Sequence, residues 1–408
     1  MQGLWLTVDE MSMLTTPLLF YLSRAAGTVR TGITAVEPSV LFGGLNVMLL
    51  GDLHQLPPVA SMKKALYYPK SIDDEDSALG RSYFEQFNVV VKLEEQIRVR
   101  DAVWNDILHR SRTGDCTATD IDIIKKLVLT NPACDVPDFS CAPWSDAFLV
   151  TSRNAVREAW NDFKLAEHSC NTNAIRYVIY AKDECNRQPL TRCQHLATAH
   201  IKTDDTNNLP HKVEIVKGMK VMVLSNISTD ANLANGTRGI VHDIILDPRE
   251  NIASSSSPVT LQYLPAVVLL RPLFSHNQKF QGLPDGVVPI FPTQTQFRVG
   301  RSSGFSVRRR QFALTPAYAF TDFKAQGQTI EHVIVDMAKP PSGKLNAFHM
   351  YVSLSRSRGR ETVRLLRDFD EKLFTVHPNE HLRKEDERLD MLERETMWRY
   401  NAGEFERI

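Results

Sequence analysis

Charge of one sign is not in excess in this sequence: its 408 residues contain 48 Lys and Arg and 48 Asp and Glu. A chain without net charge has no global field to draw it to nucleic acid or to an acidic membrane, so any such binding must come from local patches. The apolar and charged fractions are those of an ordinary globular protein. The length is sufficient for two or three domains, each with its own core.

Cysteines and long apolar runs are also scarce. The six cysteines include no C-x-x-C pair, which removes support for a thiolate metal site; their even number permits disulfides, although reduced thiols are the simpler interpretation. No apolar run approaches membrane-spanning length, and the first residues carry no basic region followed by a cleavable apolar segment. The sequence therefore predicts a soluble, intracellular protein with no membrane partner.

The first part of the sequence has the pattern of an α/β domain. Residues 4–8 and 45–50 are short apolar runs typical of strands buried on both faces of a parallel sheet, and a helix is expected to start at Thr16. Residues 89–93 are predicted as a further strand, and the acidic segment from residue 73 as an exposed loop.

The pattern changes twice along the rest of the chain. A second strand–helix alternation begins at residue 147, and from residue 213 to about residue 307 short apolar runs separated by turn signals predict a small all-β insertion. The α/β pattern then returns, and a densely charged helical tail starts at Asn379. The predicted segments are residues 1–115, 116–212, 213–307, 308–370 and 371–408.

Two polar segments follow the first two predicted strands. Asp9 and Glu10 end one strand, where one carboxylate can hold Mg²⁺ and the next can activate a water molecule, although such pairs are often only the start of a solvated loop. The segment GDLHQLPPV, residues 51–59, follows the other strand; its prolines would fix Gln55 beside a terminal phosphate, or would simply stiffen a turn. In a parallel sheet both segments open on the same edge.

These segments resemble known motifs. VDEMSM followed by GDLHQLPPV is similar to the second and third motifs of the PIF-type ATP-dependent DNA helicases, which are superfamily 1 enzymes related to RecD and to the helicase part of Helitron transposons. Further segments match in order from about residue 5 to residue 367: KLEEQIRVRD, LVTSRNAVREAWN, GMKVMVLSNIS with LANGTRGIV, RRQFALTPAYAFTDFKAQGQTIEHVIVD and YVSLSRSRG.

The resemblance implies a fold and a function. The fold would be α/β, with two RecA-like motor domains, the first truncated, and a small barrel-like β insertion in the second. The function would be ATP- and Mg²⁺-dependent 5′→3′ translocation on single-stranded or forked DNA, in repair, recombination and telomere maintenance. The location would be the nucleus, with the mitochondrion as the alternative, and no protein partner is identified.

The resemblance also implies the roles of several residues. Arg98 and Arg356 would both reach the γ-phosphate, where arginine fingers contribute roughly 10³–10⁵ in rate. Both arginines would contact the phosphate together only when the cleft between the two motor domains closes. A single arginine outside such a motif is more often half of a surface ion pair. Gly327 and Gln55 would line the nucleotide, whereas Lys324 and Gln326 would contact single-stranded DNA.

Two features near these residues depart from, or add to, the family pattern. The family has His before the lysine of its fifth motif, whereas this chain has Phe323 preceded by Asp322, an acid that would weaken phosphate binding. The stretch from residue 297 to residue 312 interleaves phenylalanines with arginines and contains no acid, which is typical of a single-strand groove or of a solvated basic loop. Its arginines are Arg298, Arg301, Arg308, Arg309 and Arg310; of these Arg308 and Arg309 are predicted to bind DNA.

No G-x-x-x-x-G-K-[ST] segment occurs in the sequence. Because the family carries its phosphate loop before the Asp-Glu strand, the chain is expected to be truncated there, with an exposed sheet edge and no detectable ATPase activity by itself. Three interpretations stay open: a truncated ATP-dependent DNA helicase, an inactive remnant that binds single-stranded DNA, and a pseudoenzyme whose charged C-terminal helix binds a protein.

Overall fold

The computed structural model describes residues 4–33, 40–59, 61–69, 74–199, 201–228, 233–251, 257–273, 280–300, 304–340 and 345–405. Arg301 of the basic stretch lies outside these residues. The chain divides into two compact units, of which the first combines Met1–Arg153 with Thr321–Ile408 and the second is Asn154–Phe320. The six cysteines are free thiols. Within the described ranges, no helix is long and apolar enough to cross a membrane.

The helices and strands are numbered in chain order. The helices are α1 (Thr16–Ile33), α2 (Glu75–Phe84), α3 (Ala102–Thr113), α4 (Ala118–Lys125), α5 (Asn154–Thr172), α6 (Arg192–Ala199), α7 (Asp322–Ala325), α8 (Ala347–Leu354), α9 (Lys372–Thr375) and α10 (Glu380–Asn401). The strands are β1 (Trp5–Val8), β2 (Asn46–Leu49), β3 (Phe148–Thr151), β4 (Tyr177–Tyr180), β5 (Lys182–Cys185), β6 (Gln188–Pro189), β7 (Lys212–Ile215), β8 (Lys220–Val223), β9 (Arg238–Ile245), β10 (Val259–Thr260), β11 (Val267–Pro272), β12 (Val288–Ile290), β13 (Thr293–Val299), β14 (Phe305–Gln311), β15 (Leu314–Pro316), β16 (Ala319–Phe320), β17 (Val333–Asp336) and β18 (Val363–Leu365).

In the first unit, β1 and β2 form a two-stranded parallel sheet that packs against α1 and α2. The prediction of burial on both faces is wrong, because residues along both strands alternate between exposed and half-buried. Trp5 is 61% exposed and Met48 is 42% exposed. The exposed face of this sheet therefore carries apolar side chains.

Two local predictions for this unit are corrected. The segment predicted as an acidic loop from residue 73 is mostly helix α2, because the side chain of Asp74 caps the amide of Ser77 and acidic residues suit the first turn of a helix. Residues 89–93 do not form a strand: Val91 and Leu93 are largely exposed and have no sheet neighbour. Their apolar character alone was insufficient to predict a sheet position.

The first unit also contains a parallel sheet made by β3, β17 and β18, in which β17 is central and fully buried. Helices α3, α8 and α9 pack against one another. The charged tail is helical as predicted, beginning at the Asn379 cap, and α10 buries Leu382 and Glu385. The tail helix is therefore a packed element of this unit.

The second unit is mostly β-structure and includes α5. Its sheets have the strand orders β12-β11-β9-β8-β15, β10-β4-β7 and β13-β14-β5-β6. Leu165 of α5 contributes to a core built from the first two of these sheets. The β-rich region starts at β4, earlier in the chain than the predicted insertion, because residues 170–210 carried no clear pattern. The mixed α/β class is confirmed.

Candidate nucleotide and nucleic-acid sites

The loops after β1 and β2 lie side by side, as expected for neighbouring parallel strands. The backbone amide of Met11 donates to the carbonyl of Leu50 at 2.9 Å. Gly51 has φ +139°, and a Cβ there would come within 2.8 Å of the Met11 nitrogen, so a larger residue does not fit. Glu10 has left-handed backbone angles, and its amide donates to Asp9 Oδ1 at 2.8 Å. Sequence reasoning predicted this juxtaposition correctly.

The Gln55 loop, residues 51–59, is held by burial and by an ion pair. Leu53 and Leu56 pack in a core that includes Val352 of α8, and the amide of Gln55 donates to the carbonyl of Asp52 at 2.9 Å. Burial alone would raise the pKa of Asp52, but the Arg112 guanidinium, 2.7 Å from its Oδ1, holds that pKa below its usual value. The loop is thus a fixed platform for Gln55.

Gln326 joins the two segments. Its Nε2 donates to Glu10 Oε2 at 2.7 Å, and its Oε1 accepts the backbone amide of Leu56 at 3.2 Å. The next residue, Gly327, has φ +75°, and a Cβ there would lie 3.2 Å from Glu10 Oε1. Gly327 therefore lies beside the Glu10 carboxylate. The predicted contact of Gln326 with DNA stays a prediction; in this structure its side-chain amide contacts Glu10 and Leu56.

Arg98 and Arg356 lie in the same neighbourhood. Arg98 Nη1 donates to the carbonyl of Ser355 at 3.3 Å, and Arg356 Nη2 donates to the Ser355 hydroxyl at 2.7 Å. Burial lowers the pKa of Arg356 to about 10, with a further contribution from Arg98, while the Glu10 carboxylate opposes the shift. Burial likewise lowers the pKa of Arg98, and Tyr351 and Glu10 oppose that shift. Both arginines therefore lie near enough to Glu10 for its carboxylate to affect their pKa values, and all three residues belong to the first unit.

Sequence reasoning missed two residues of this cluster. Tyr351, on α8, is half-buried, and desolvation of its hydroxyl together with Asp52 raises its pKa far above the usual value. Arg112, at the end of α3, lies with its guanidinium carbon 5.8 Å from the Tyr351 ring centroid while it binds Asp52. Tyr351 belongs to the YVSLSRSRG motif and could have been found there, whereas nothing in the sequence near Arg112 points to the site.

Asp322, the acid two residues before Lys324, is buried and paired with a side chain of the same unit. Asp322 is 3% exposed, and its carboxylate binds Nδ1 of His349. Phe323 packs edge-on against the same imidazole, with ring centroids 5.5 Å apart. The pair is internal, so it does not place an unpaired negative charge beside Lys324.

The basic stretch forms the hairpin of β13 and β14, and the two-residue period separates its arginines. Arg309 is fully buried; its Nε and Nη2 donate to the two oxygens of Asp183 at 2.8 and 2.7 Å, and its Nη1 donates to the Leu209 carbonyl. The prediction that Arg309 contacts DNA is wrong, because it has no accessible surface. Arg308 and Arg310, one residue to either side, are exposed.

The exposed face of this sheet is polar and carries three of the described arginines. Arg298 and Arg308 sit on it with Gln296, which pairs directly opposite Arg308. A cavity of about 270 Å³ opens beside Arg308 and is also lined by Glu184 and Arg187. We call this surface the arginine face and define it by Arg298, Arg308 and Arg310.

Comparison with known proteins gives consistent relatives. No protein-family model matches the chain. It is 27% identical over 394 residues to the ATP-dependent DNA helicase PIF7 of Trypanosoma brucei brucei, covering 92% of this chain and 37% of that protein. It is 24% identical over 387 residues to the ATP-dependent DNA helicase PIF1 of Danio rerio, covering 93% of this chain and 49% of that protein.

Solved structures agree on the fold. The Pif1 helicase from Candida albicans superimposes with a TM-score of 0.63 at 21% identity, covering 95% of this chain and 76% of that one. A Bacteroides Pif1 crystallised with ADP-AlF3 and single-stranded DNA gives 0.61 at 18% identity, covering 95% and 75%. The chain is thus similar to PIF-type helicases over nearly its whole length. The chain spans about half of the length, or less, of the PIF7 and PIF1 relatives.

Proposed function

We propose that this chain is part of an ATP-dependent DNA helicase that couples nucleotide hydrolysis to 5′→3′ movement on single-stranded or forked DNA. The observation that carries the proposal is the clustering of Glu10, the Gln55 loop, Arg98 and Arg356 within the first unit. The PIF-type relatives, which are named ATP-dependent DNA helicases, support the same activity. Roles in repair, recombination and telomere maintenance, and a nuclear or mitochondrial location, follow from the family alone.

In the proposed mechanism, Glu10 orients the attacking water and accepts its proton, while Gln55 contacts the γ-phosphate from a rigid loop. Arg98 and Arg356 neutralise the negative charge that spreads over the phosphoryl oxygens in the transition state. Both guanidiniums are held by carbonyl and hydroxyl groups next to α8, so they are positioned before the substrate arrives.

Asp9 is the proposed Mg²⁺ ligand. Its side chain is exposed at the end of β1, and one carboxylate oxygen accepts the Glu10 amide. This fits Mg²⁺, which proteins commonly hold through one or two carboxylates while phosphates and water complete the shell. Bound there, the ion would neutralise charge on the phosphate oxygens.

DNA contact is proposed at Lys324 and at the arginine face. Lys324 lies in α7, and Gln326 and Gly327 directly follow that helix. The arginine face offers exposed guanidiniums on a polar sheet surface, the kind of surface that binds a phosphate backbone irrespective of sequence. Arg309 and Gln326 are not included among the proposed DNA contacts.

ATP hydrolysis with and without single-stranded DNA tests the proposal. The assay compares the 408-residue chain with the same chain extended by any coding sequence found upstream. We expect turnover only in a protein that contains a phosphate loop, and we expect Glu10→Gln to abolish it. Absence of DNA-stimulated turnover in such an extended protein would refute the helicase assignment.

A second candidate function is DNA binding without hydrolysis. The observation that favours it is the lack of a G-x-x-x-x-G-K-[ST] segment in these 408 residues. It predicts salt-sensitive binding of single-stranded DNA by the chain, with no ATP turnover. A role for α10 as a partner-binding helix has less support, because α10 packs into the first unit through Leu382 and Glu385.

A further inference from the structure

We infer that Gln326 is a positioning residue that restrains Glu10 and the Gln55 loop until DNA binds. The inference rests on the proposed function and deepens it, because it names the contact through which DNA would control hydrolysis. One side-chain amide holds both segments: it donates to the Glu10 carboxylate at 2.7 Å and accepts the Leu56 amide at 3.2 Å.

The contact with Glu10 engages the carboxylate that the proposed mechanism needs. The Gln326 amide occupies Oε2 of this carboxylate, so that oxygen is not available to orient a water molecule while the contact persists. Glu10 also has φ 53° and ψ 46°, a conformation that costs energy in a residue with a Cβ and that requires support from its surroundings. Gln326 is one of the groups that provide this support.

The contact with Leu56 fixes the other segment. Leu56 is fully buried, and its amide hydrogen bonds to the Gln326 side chain. Leu56 is followed by two prolines, which have no amide hydrogen and so cannot donate a further hydrogen bond from the loop. Withdrawal of Gln326 would therefore remove a hydrogen bond from the loop that presents Gln55, while Leu56 itself stayed buried in its apolar core.

The position of Gln326 in the chain connects these contacts to DNA. It is the residue immediately after α7, the four-residue helix that carries Lys324. A DNA strand that binds Lys324 would shift the end of this short helix, and the Gln326 side chain would move with it. Glu10 would then be free to accept the proton from water, and hydrolysis would be stimulated only when DNA is present.

Amide hydrogen exchange at Leu56 tests the inference without any need for ATP turnover. In a peptide covering residues 54–58 the two prolines carry no amide, so Leu56 contributes much of the signal. We expect oligo(dT) to accelerate exchange in the wild-type chain about tenfold, and Gln326→Met to exchange at that faster rate without DNA. The control Gln86→Met removes an exposed glutamine that bonds to Ser82 in α2, and should behave as wild type.

The second readout is hydrolysis in a protein that shows DNA-stimulated turnover. Gln326→Met should raise the DNA-independent rate about tenfold and reduce the stimulation by the same factor, with DNA affinity unchanged. If DNA binds and stimulates turnover, but Leu56 exchange is the same with and without DNA and DNA stimulates Gln326→Met by the same factor as the wild type, the inference fails and the helicase assignment stands. If DNA does not bind at all, both fail.

Discussion

Asp386 of the C-terminal helix accepts a hydrogen bond from Nε2 of His54 at 3.0 Å, across 332 residues of sequence. The other ring nitrogen of His54 faces the Arg112 carbonyl at 2.9 Å, and the imidazole is 4% exposed. Because His54 immediately precedes Gln55, this hydrogen bond connects the C-terminal helix to the loop proposed to contact the γ-phosphate.

Replacing Asp386 should weaken the first unit. In Asp386→Ala the buried imidazole loses an acceptor, which should lower the free energy of unfolding by about 1–3 kcal/mol. Urea denaturation measures the change. Asp390→Ala is the matched control on the same helix, because Asp390 pairs with the half-exposed Lys92 and such surface pairs contribute less than about 1 kcal/mol. Equal effects of the two variants would contradict the prediction.

Loss of Arg98 should affect chemistry more than folding. In a protein with DNA-stimulated ATPase activity, Arg98→Ala should reduce kcat by a factor of roughly 10³ or more, because the transition state loses a guanidinium. Arg358→Ala serves as control, since Arg358 makes a surface ion pair with Glu331. Steady-state kinetics would disprove the assignment if both variants lost the same activity.

Arg309 should prove to be a structural residue. Removal of one partner of its buried pair with Asp183, as in Arg309→Leu, should destabilise the second unit by about 3–5 kcal/mol because it leaves an unpaired buried carboxylate. Replacing both partners by Leu should restore part of that loss. Chemical denaturation decides the point; a stable Arg309→Leu protein with weakened DNA binding would return Arg309 to the DNA-binding residues.

The arginine face should affect the salt dependence of DNA binding. Replacing Arg308 and Arg310 together by Gln should lower the slope of log K against log salt by about 0.7 for each phosphate that is no longer neutralised, with no change in stability. Titrations of a fluorescent oligo(dT) at several salt concentrations measure the slope. Arg271→Gln, an exposed arginine on β11, is the control. An unchanged slope in the double variant would remove this face from the DNA path.

Asp120 should contribute to the acid limit of stability. Arg110 donates two hydrogen bonds to this carboxylate and lowers its pKa from 3.8 to about 2, so the stabilisation is present above the unfolded-state pKa and is lost as the pH falls towards 2. Asp120→Asn should therefore cost roughly 1–2 kcal/mol at pH 7 and flatten the decline in stability between pH 4 and 2. Urea midpoints across this range provide the test, with the exposed Asp106→Asn as control.

The sequence allowed the strand-end motifs to be placed correctly because parallel strands align their carboxyl ends whatever surrounds them. Asp9, Glu10 and the Gln55 loop follow from that rule alone. The contact of Gln326 with Glu10 could not be predicted, because it depends on a fold that closes over 316 residues. Arg309 was misassigned because composition was considered without the two-residue period of a strand. Residues 89–93 were wrongly predicted as a strand because they form an apolar run, but they have no neighbouring strand with which to pair.

The pairing of β3 with β17 has a consequence for how this protein acquires its structure. Thr151 and Asp336, which hydrogen bond at the ends of these strands, are 185 residues apart, and the whole second unit is encoded between them. Joining such distant ends is entropically costly if the intervening chain is still disordered, and cheaper once it has condensed. On the ribosome, β3 must wait for its neighbour until the intervening unit has been synthesised, so that interval is when newly made chains are most exposed to aggregation and most dependent on chaperones.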